Sequence, residues 1–287
     1  MKLFYHNDLD GRCGAAVILR AVKGDPKLIE MDYTRDVPVD SIEKDEEIII
    51  VDFSFEPKVM KQVLAKTSNV VWLDHHATAK AYEKEYGRKL HGLRNFENKS
   101  EAGCELAWRY YYGPDEMPTV VRYIGDYDKW AHRYKDSTPF YEGMKMRSTD
   151  YPTNEIWTKL LSLVTDAAVI DNIVEDGKLA IKYRDTYCKE MVEDFGYETE
   201  LGGLSCYALN VYKFGSQTFG PRIKKYDACI AYVYDGKLFT VSMYADRSDV
   251  DVSKVCKEQG GGGHKGAAGF TCKTLPFKPV DNSEESK

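Results

Sequence analysis

No apolar run in this chain approaches the ~20 residues that a helix needs to cross a bilayer, so nothing in it reads as a membrane span. Cys-x-x-Cys pairs are missing as well. The cysteines stand singly at 13, 104, 188, 206, 229, 256 and 272, which gives neither a disulfide framework nor a zinc ribbon. They read as reduced, mostly buried small hydrophobes. A basic excess is also missing: the formal net charge is −6, which argues against a protein that coats long nucleic acid by counterion release. Much of that negative charge can belong to a metal site, so an anionic substrate met by cations and a local basic patch stays open. The sequence runs from Met1 straight into a motif at His6, leaving no room for a signal peptide, and a cytoplasmic location is the expectation.

What is present is a recurrence of acids and histidines directly after hydrophobic runs. Leu3-Phe4-Tyr5 leads into His6, Asp8 and Asp10, and Ile48-Ile49-Ile50-Val51 leads into Asp52. Val70-Val71-Trp72-Leu73 leads into Asp74-His75-His76, and Val120 to Ile124 into Asp126 and Asp128. In an open parallel sheet, ligands collect beyond the carboxyl ends of the strands, so residues placed this way converge on one crevice. So many carboxylates and imidazoles together would repel or protonate unless cations held them. The pattern implies metal, and more than one ion. Mixed histidine and carboxylate ligation suits Mn²⁺ better than Mg²⁺, with other divalent ions such as zinc open.

The expected fold class is α/β, in two domains joined by a helical connector. From 1 to about 135, strand-like runs alternate with helical stretches (12–22, 57–66, 101–112), the pattern of a doubly wound parallel sheet. Asn98 is a plausible helix start and Gly113-Pro114 a stop. Residues 136–198 read as a helical connector, with a long helix from about Ile156 to Phe195, a soft spot at Glu175-Asp176-Gly177 and an end at Gly196. Residues 199–275 read as a smaller α/β domain with strands at 204–211, 228–234 and 239–244 and a short helix at 252–259. The stretch 276–287, with Ser283-Glu284-Glu285-Ser286-Lys287, reads as a disordered tail. The segment Gly260-Gly261-Gly262-Gly263-His264-Lys265 offers unobstructed backbone N–H groups at what reads as a helix start, an anion cradle to which His264 and Lys265 add donors.

His6-x-Asp8-x-Asp10-Gly11, Asp52, Asp74-His75-His76, Asp126 and Gly260-Gly261-Gly262-Gly263-His264-x-x-Ala267-Ala268-Gly269 resemble, in order, the motifs of the DHH/DHHA1 phosphoesterase superfamily. That superfamily includes RecJ-type exonucleases, nanoRNases and phosphodiesterases of cyclic dinucleotides. The resemblance covers residues 1 to about 275 and implies a DHH domain followed by a DHHA1 domain, with the site between them. It implies that His6 and Asp8 hold a first metal, that Asp10, His75 and Asp126 hold a second, and that Asp52 bridges both. His76 would act on the substrate phosphoryl oxygen or leaving group, with Asp74 orienting an imidazole, while Asp128 reads as a shell or packing residue. Gly261, Gly262, Gly263 and His264 would bind substrate. Members carry an arginine in the preceding strand; here Arg247 is displaced from that place and its role is open.

The resemblance therefore implies a manganese-dependent hydrolase, a phosphodiesterase or phosphatase acting on short oligonucleotides or dinucleotides through a metal-activated water. No covalent nucleophile is needed. No stable binding of long DNA and no membrane partner are expected, and a homodimer is compatible. Pyrophosphate or polyphosphate hydrolysis is the enzymatic alternative, disfavoured because family II pyrophosphatases share the first domain's motifs but lack the Gly-rich His motif. A nucleotide-binding sensor without turnover is the alternative of another class.

Overall fold

In the computed structural model, which describes residues 1–280 other than 34, 88, 98–99 and 164–165, the acid-ended apolar runs form one parallel sheet. The elements run β1 (Lys2–His6), α1 (Leu9–Ala21), β2 (Lys27–Met31), β3 (Ile48–Val51), α2 (Pro57–Lys66), β4 (Val70–Leu73), α3 (Lys80–Glu85), α4 (Gly103–Tyr112) and α5 (Thr119–Asp128). Then come α6 (Ser137–Met144), α7 (Glu155–Leu160) and α8 (Ala167–Phe195). The strand order is β2-β1-β3-β4, parallel throughout. Every residue of β3 and β4 is buried, which is why those runs are continuously apolar rather than alternating. Leu3, Tyr5, Ile49, Val51, Val71 and Leu73 pack with residues of α1, α4 and α5, whereas Phe4, Ile48, Ile50, Val70 and Trp72 pack with Met60 and Val63 of α2. The connections leave β1 toward β2 on one side and β3 on the other, which opens a crevice at the carboxyl ends of those strands.

Two expectations about this part are corrected. Val120 to Ile124 is not a strand: it lies in α5, where Val120, Val121 and Ile124 are buried at helical spacing while Arg122 is exposed. The helix expected from 156 is two, α7 and α8, and Gly177 lies inside α8 instead of loosening it. A Cβ at Gly177 would stand 1.7 Å from the carbonyl oxygen of Pro139, so this glycine lets α6 pack closely. The expected helix start at Asn98 lies outside the described residues.

The chain divides into two compact units, Met1–Ala180 and Ile181–Lys287. Much of the expected connector belongs to the first, since Phe140, Met144, Trp157, Leu160 and Ile173 are buried in its core. The second unit contains β5 (Tyr197–Leu201), β6 (Leu204–Asn210), β7 (Ala228–Tyr234), β8 (Phe239–Tyr244), α9 (Val252–Glu258), β9 (Gly262–His264) and β10 (Ala267–Cys272). Their order is β5-β6-β7-β8-β10-β9; β6 and β7 are parallel and the other pairs antiparallel. Its two faces are likewise filled, one by Ile230, Val241, Met243 and Phe270, the other by Leu209, Phe219 and Val192.

The tail expected to be disordered from 276 is held as far as 280. Phe277 is buried, the Thr199 hydroxyl donates to the carbonyl of Lys278 at 2.7 Å, and Val280 N–H donates to the carbonyl of Glu198 at 2.9 Å. Residues 281–287 lie outside the described residues. Among the described residues no helix is long and apolar enough to cross a membrane. All the cysteines are free, and all but Cys272 are buried.

Candidate metal centre

Asp52 is the hub of the crevice. It follows β3, is 1% exposed, and has φ +54°, a left-handed backbone that Asp tolerates better than most side chains. Its Oδ1 lies 3.1 Å from His75 Nε2 and 3.8 Å from His76 Nδ1, and its Oδ2 lies 3.6 Å from His6 Nδ1. That Oδ2 is buried and accepts no hydrogen bond. A buried carboxylate oxygen without a partner is costly, and a cation is the partner it lacks.

Around this hub the potential ligand atoms fall into three groups: His6, Asp8 and Asp52; Asp10, His75 and Asp128; Asp52, His75 and His76. Each strand end delivers its share. The loop after β1 carries Asp8, whose Oδ2 is 2.8 Å from His6 Nδ1 while its Oδ1 caps α1 by accepting from Gly11 N–H. Asp10, fully buried, accepts from the backbone N–H of Gly103 at 2.7 Å and of Cys104 at 2.9 Å, the first turn of α4. Its Oδ2 is 3.7 Å from His75 Nε2. After β4, Asp74 accepts from His75 N–H and from His76 Nδ1, at 2.8 and 2.7 Å, and from the hydroxyl of Ser54. Ser54 in turn accepts from the Trp72 indole at 3.1 Å, so a buried chain of hydrogen bonds fixes the orientation of the Asp-His-His run.

The electrostatics are those of a crowded set of potential metal ligands. Burial and the nearby charges of Asp10 and Asp8 push Asp52 well above the usual carboxylate range, and burial with Asp10 and Asp52 does the same to Asp128. For His6 burial works downward, but the carboxylates of Asp52 and Asp8 outweigh it and raise the imidazole to about 11. His75 is raised against burial by Asp10 and Asp128, and His76 by Asp74. Protons thus do what divalent ions would do better, since an ion neutralises several carboxylates at once. The donor set fits metal.

Of the residues expected from sequence, His6, Asp8, Asp10, Asp52, His75 and His76 come together. Asp126 does not join them. Its carboxylate, 1% exposed, accepts from the backbone N–H of Arg133 at 2.9 Å and Tyr134 at 3.2 Å and ties down the chain after α5. Asp128 takes the place expected for Asp126, with Oδ2 3.3 Å from His75 Nε2. Residues two apart on a helix are rotated by about 200° and so point about 160° apart, and only one of the pair can face the crevice. Gly103 was not singled out from the sequence, yet a Cβ there would lie 2.5 Å from Asp52 Cβ and 3.0 Å from Asp10 Oδ2. Only a glycine lets α4 start against the cluster.

In the second unit the Gly-rich segment is not a helix start. Gly260 N–H bonds to Lys257 and Gly261 N–H to Cys256, at 3.0 and 2.8 Å, and Gly260 has φ +80°, the signature of a helix C-terminal end. The helix dipole there is negative, the reverse of an anion cradle. Gly262, Gly263 and His264 then form β9 against β10, leaving His264 and Lys265 exposed. Arg247 is occupied by Asp227 and Asp249, at 2.6 and 2.7 Å.

No protein-family model matches the chain. Solved structures do. The pGpG-specific phosphodiesterase PggH of Vibrio cholerae superimposes with a TM-score of 0.56 at 16% identity, covering 95% of this chain and 93% of that one. The DHH domain of PF0399 gives 0.55 at 16% identity over 93% and 81%. RecJ of Thermus thermophilus, in complex with Mn²⁺, gives 0.51 at 13% identity over 94% of this chain and 49% of that one. The fold is the one these DHH-domain structures share. Within the DHH fold, the crevice just described is the place where the residues expected from the motifs meet. By sequence, the chain is 23% identical over 252 residues to the uncharacterized protein R106 of Acanthamoeba polyphaga mimivirus. That match takes in 83% of this chain and spans only 57% of the viral protein.

Proposed function

We propose that this chain is a divalent-metal-dependent phosphoesterase that hydrolyses phosphodiester or phosphomonoester bonds of short oligonucleotides or dinucleotides. The observation that carries the reading is the buried, unpartnered Oδ2 of Asp52 at the centre of converging imidazoles and carboxylates. His6, Asp8 and Asp52 would hold one ion, and Asp10, His75 and Asp128 with Asp52 a second, with Mn²⁺ favoured by the mixed donors. Two such ions would supply a water acidic enough to ionise near neutral pH and charge to stabilise the departing oxygen. His76, held by Asp74 and partly exposed, would donate to a phosphoryl or leaving-group oxygen. Recognition beyond the scissile bond we assign to Gly261, Gly262, Gly263 and His264, not as an anion cradle at a helix start but as a largely exposed turn and strand that present the His264 imidazole. The Mn²⁺-bound RecJ and the pGpG phosphodiesterase, which share the fold, support both metal and substrate class.

The test is a screen of purified protein with Mn²⁺ or Mg²⁺ against dinucleotides, longer oligonucleotides, cyclic dinucleotides and pyrophosphate, with Asp52→Asn alongside. Turnover of nucleotides that disappears in Asp52→Asn is the expected result. Hydrolysis of pyrophosphate alone favours the pyrophosphatase reading, and nucleotide binding without turnover favours the sensor. Full activity in Asp52→Asn removes the two-metal reading.

A further inference from the structure

Tyr33 stands two residues past the end of β2, at the same edge of the sheet where β1 delivers His6. It is a large ring left 65% exposed, where burial is the usual fate of a ring that packs on other rings. Its centroid lies 5.1 Å from that of buried Phe53, 5.5 Å from His6 and 6.3 Å from His76. Phe53 is next to Asp52 and itself lies 6.2 Å from His6 in a stacked arrangement. The ring is thus backed by an apolar side chain, abuts both a candidate metal ligand and the candidate phosphoryl-binding histidine, and keeps the rest of its surface open.

We infer that Tyr33 is a specificity-determining residue that stacks on the nucleobase adjoining the scissile phosphate. This rests on the phosphoesterase reading above and deepens it. A phosphate seated at His6 and His76 brings the sugar and base of one neighbouring nucleotide within a ring's width of the phosphate, which is where Tyr33 sits. An aromatic face accepts any base, because every base has a π-face, so the contact selects for a nucleotide without selecting its sequence. An inorganic phosphate chain has nothing to lay on it. The hydroxyl is not required for stacking, and Phe serves equally.

The experiment compares wild type, Tyr33→Ala and Tyr33→Phe on 5′-phosphorylated diadenylate and on two analogues, each abasic at one position. Tyr33→Ala is expected to raise KM roughly tenfold on the diadenylate, with Mn²⁺ content and unfolding temperature unchanged, and Tyr33→Phe to stay near wild type. On one abasic analogue the difference between wild type and Tyr33→Ala is expected to vanish. An unchanged KM in Tyr33→Ala, or an equal loss on all three substrates, overturns the inference while leaving the phosphoesterase reading intact. Absence of turnover in wild type defeats that reading instead. Stacking is then read directly with a 2-aminopurine dinucleotide bound to the Ca²⁺-treated protein: fluorescence quenched by wild type and Tyr33→Phe but not by Tyr33→Ala supports the inference, and no quenching by wild type overturns it.

Discussion

The carboxylate of Asp10 caps α4 across ninety-three positions of sequence, one oxygen accepting from Gly103 N–H at 2.7 Å and the other from Cys104 N–H at 2.9 Å. The first two N–H groups of that helix thus find a side-chain acceptor delivered from α1. Gly103 makes the approach feasible. Replacing it by alanine puts a Cβ 2.5 Å from Asp52 Cβ, and the expected outcome is a loss of about 1–3 kcal/mol in stability from overpacking together with a drop in turnover of more than about tenfold. Thermal unfolding and kcat measured on Gly103→Ala check both parts.

On the proposed reading the two acids of α5 would have separable duties. Asp128→Ala is expected to weaken Mn²⁺ binding by at least about tenfold with little change in unfolding temperature. Asp126→Ala is expected to leave metal stoichiometry intact and to cost about 0.5–1.5 kcal/mol, because the backbone N–H groups of the exposed residues Arg133 and Tyr134 exchange a carboxylate acceptor for water. Calorimetric metal titration and denaturant unfolding of both variants distinguish this from the reverse assignment.

Metal-free protein is expected to lose stability as pH rises. His6 stands at about 11 in the folded chain against an ordinary 6.5, so its contribution is fully present below pH 6.5 and is lost as pH rises through the folded value. Asp52 and Asp128, raised above their ordinary 3.8, add to the same trend, since the folded state holds protons that the unfolded chain gives up. Asp8, lowered to about 2, matters only in the acid range, where its contribution is lost as pH falls. Mn²⁺ competes with those protons, so the rise in unfolding temperature on adding Mn²⁺ should grow with pH. Melting curves with chelator and with Mn²⁺ between about pH 5 and 9 check the sign; a metal-free curve flat across that range contradicts it.

On the proposed reading His264 would contribute to recognition and not to the chemical step. His264→Ala should therefore raise KM several-fold on a dinucleotide, while slow hydrolysis of bis-p-nitrophenyl phosphate, which has no remote nucleotide, stays within about twofold of wild type. Equal damage to both substrates at unchanged metal content would place His264 in the chemistry.

The strands β1, β3 and β4 were legible because parallel strands buried on both faces are continuous apolar runs, and the acids that follow them mark their ends. Pro57–Lys66 was legible to the residue. Val120-Val121 misled, since a short apolar run fits strand or buried helix equally; the spacing to Ile124 was the signal for a helix, and with it the choice between Asp126 and Asp128 becomes a question of helical face. Gly260 just after a periodic segment was a readable C-terminal stop that the anion-cradle reading obscured. Gly103 left no local trace, because its constraint comes from side chains at 10 and 52 that reach it only after folding.

The left-handed backbone of Asp52 limits what selection can put there. In a saturation library sorted for folded protein, Asn and Gly should be recovered at this codon far more often than Glu, although Glu alone keeps the charge. Retaining a carboxylate and retaining the backbone are separate demands, and aspartate is the side chain that meets both.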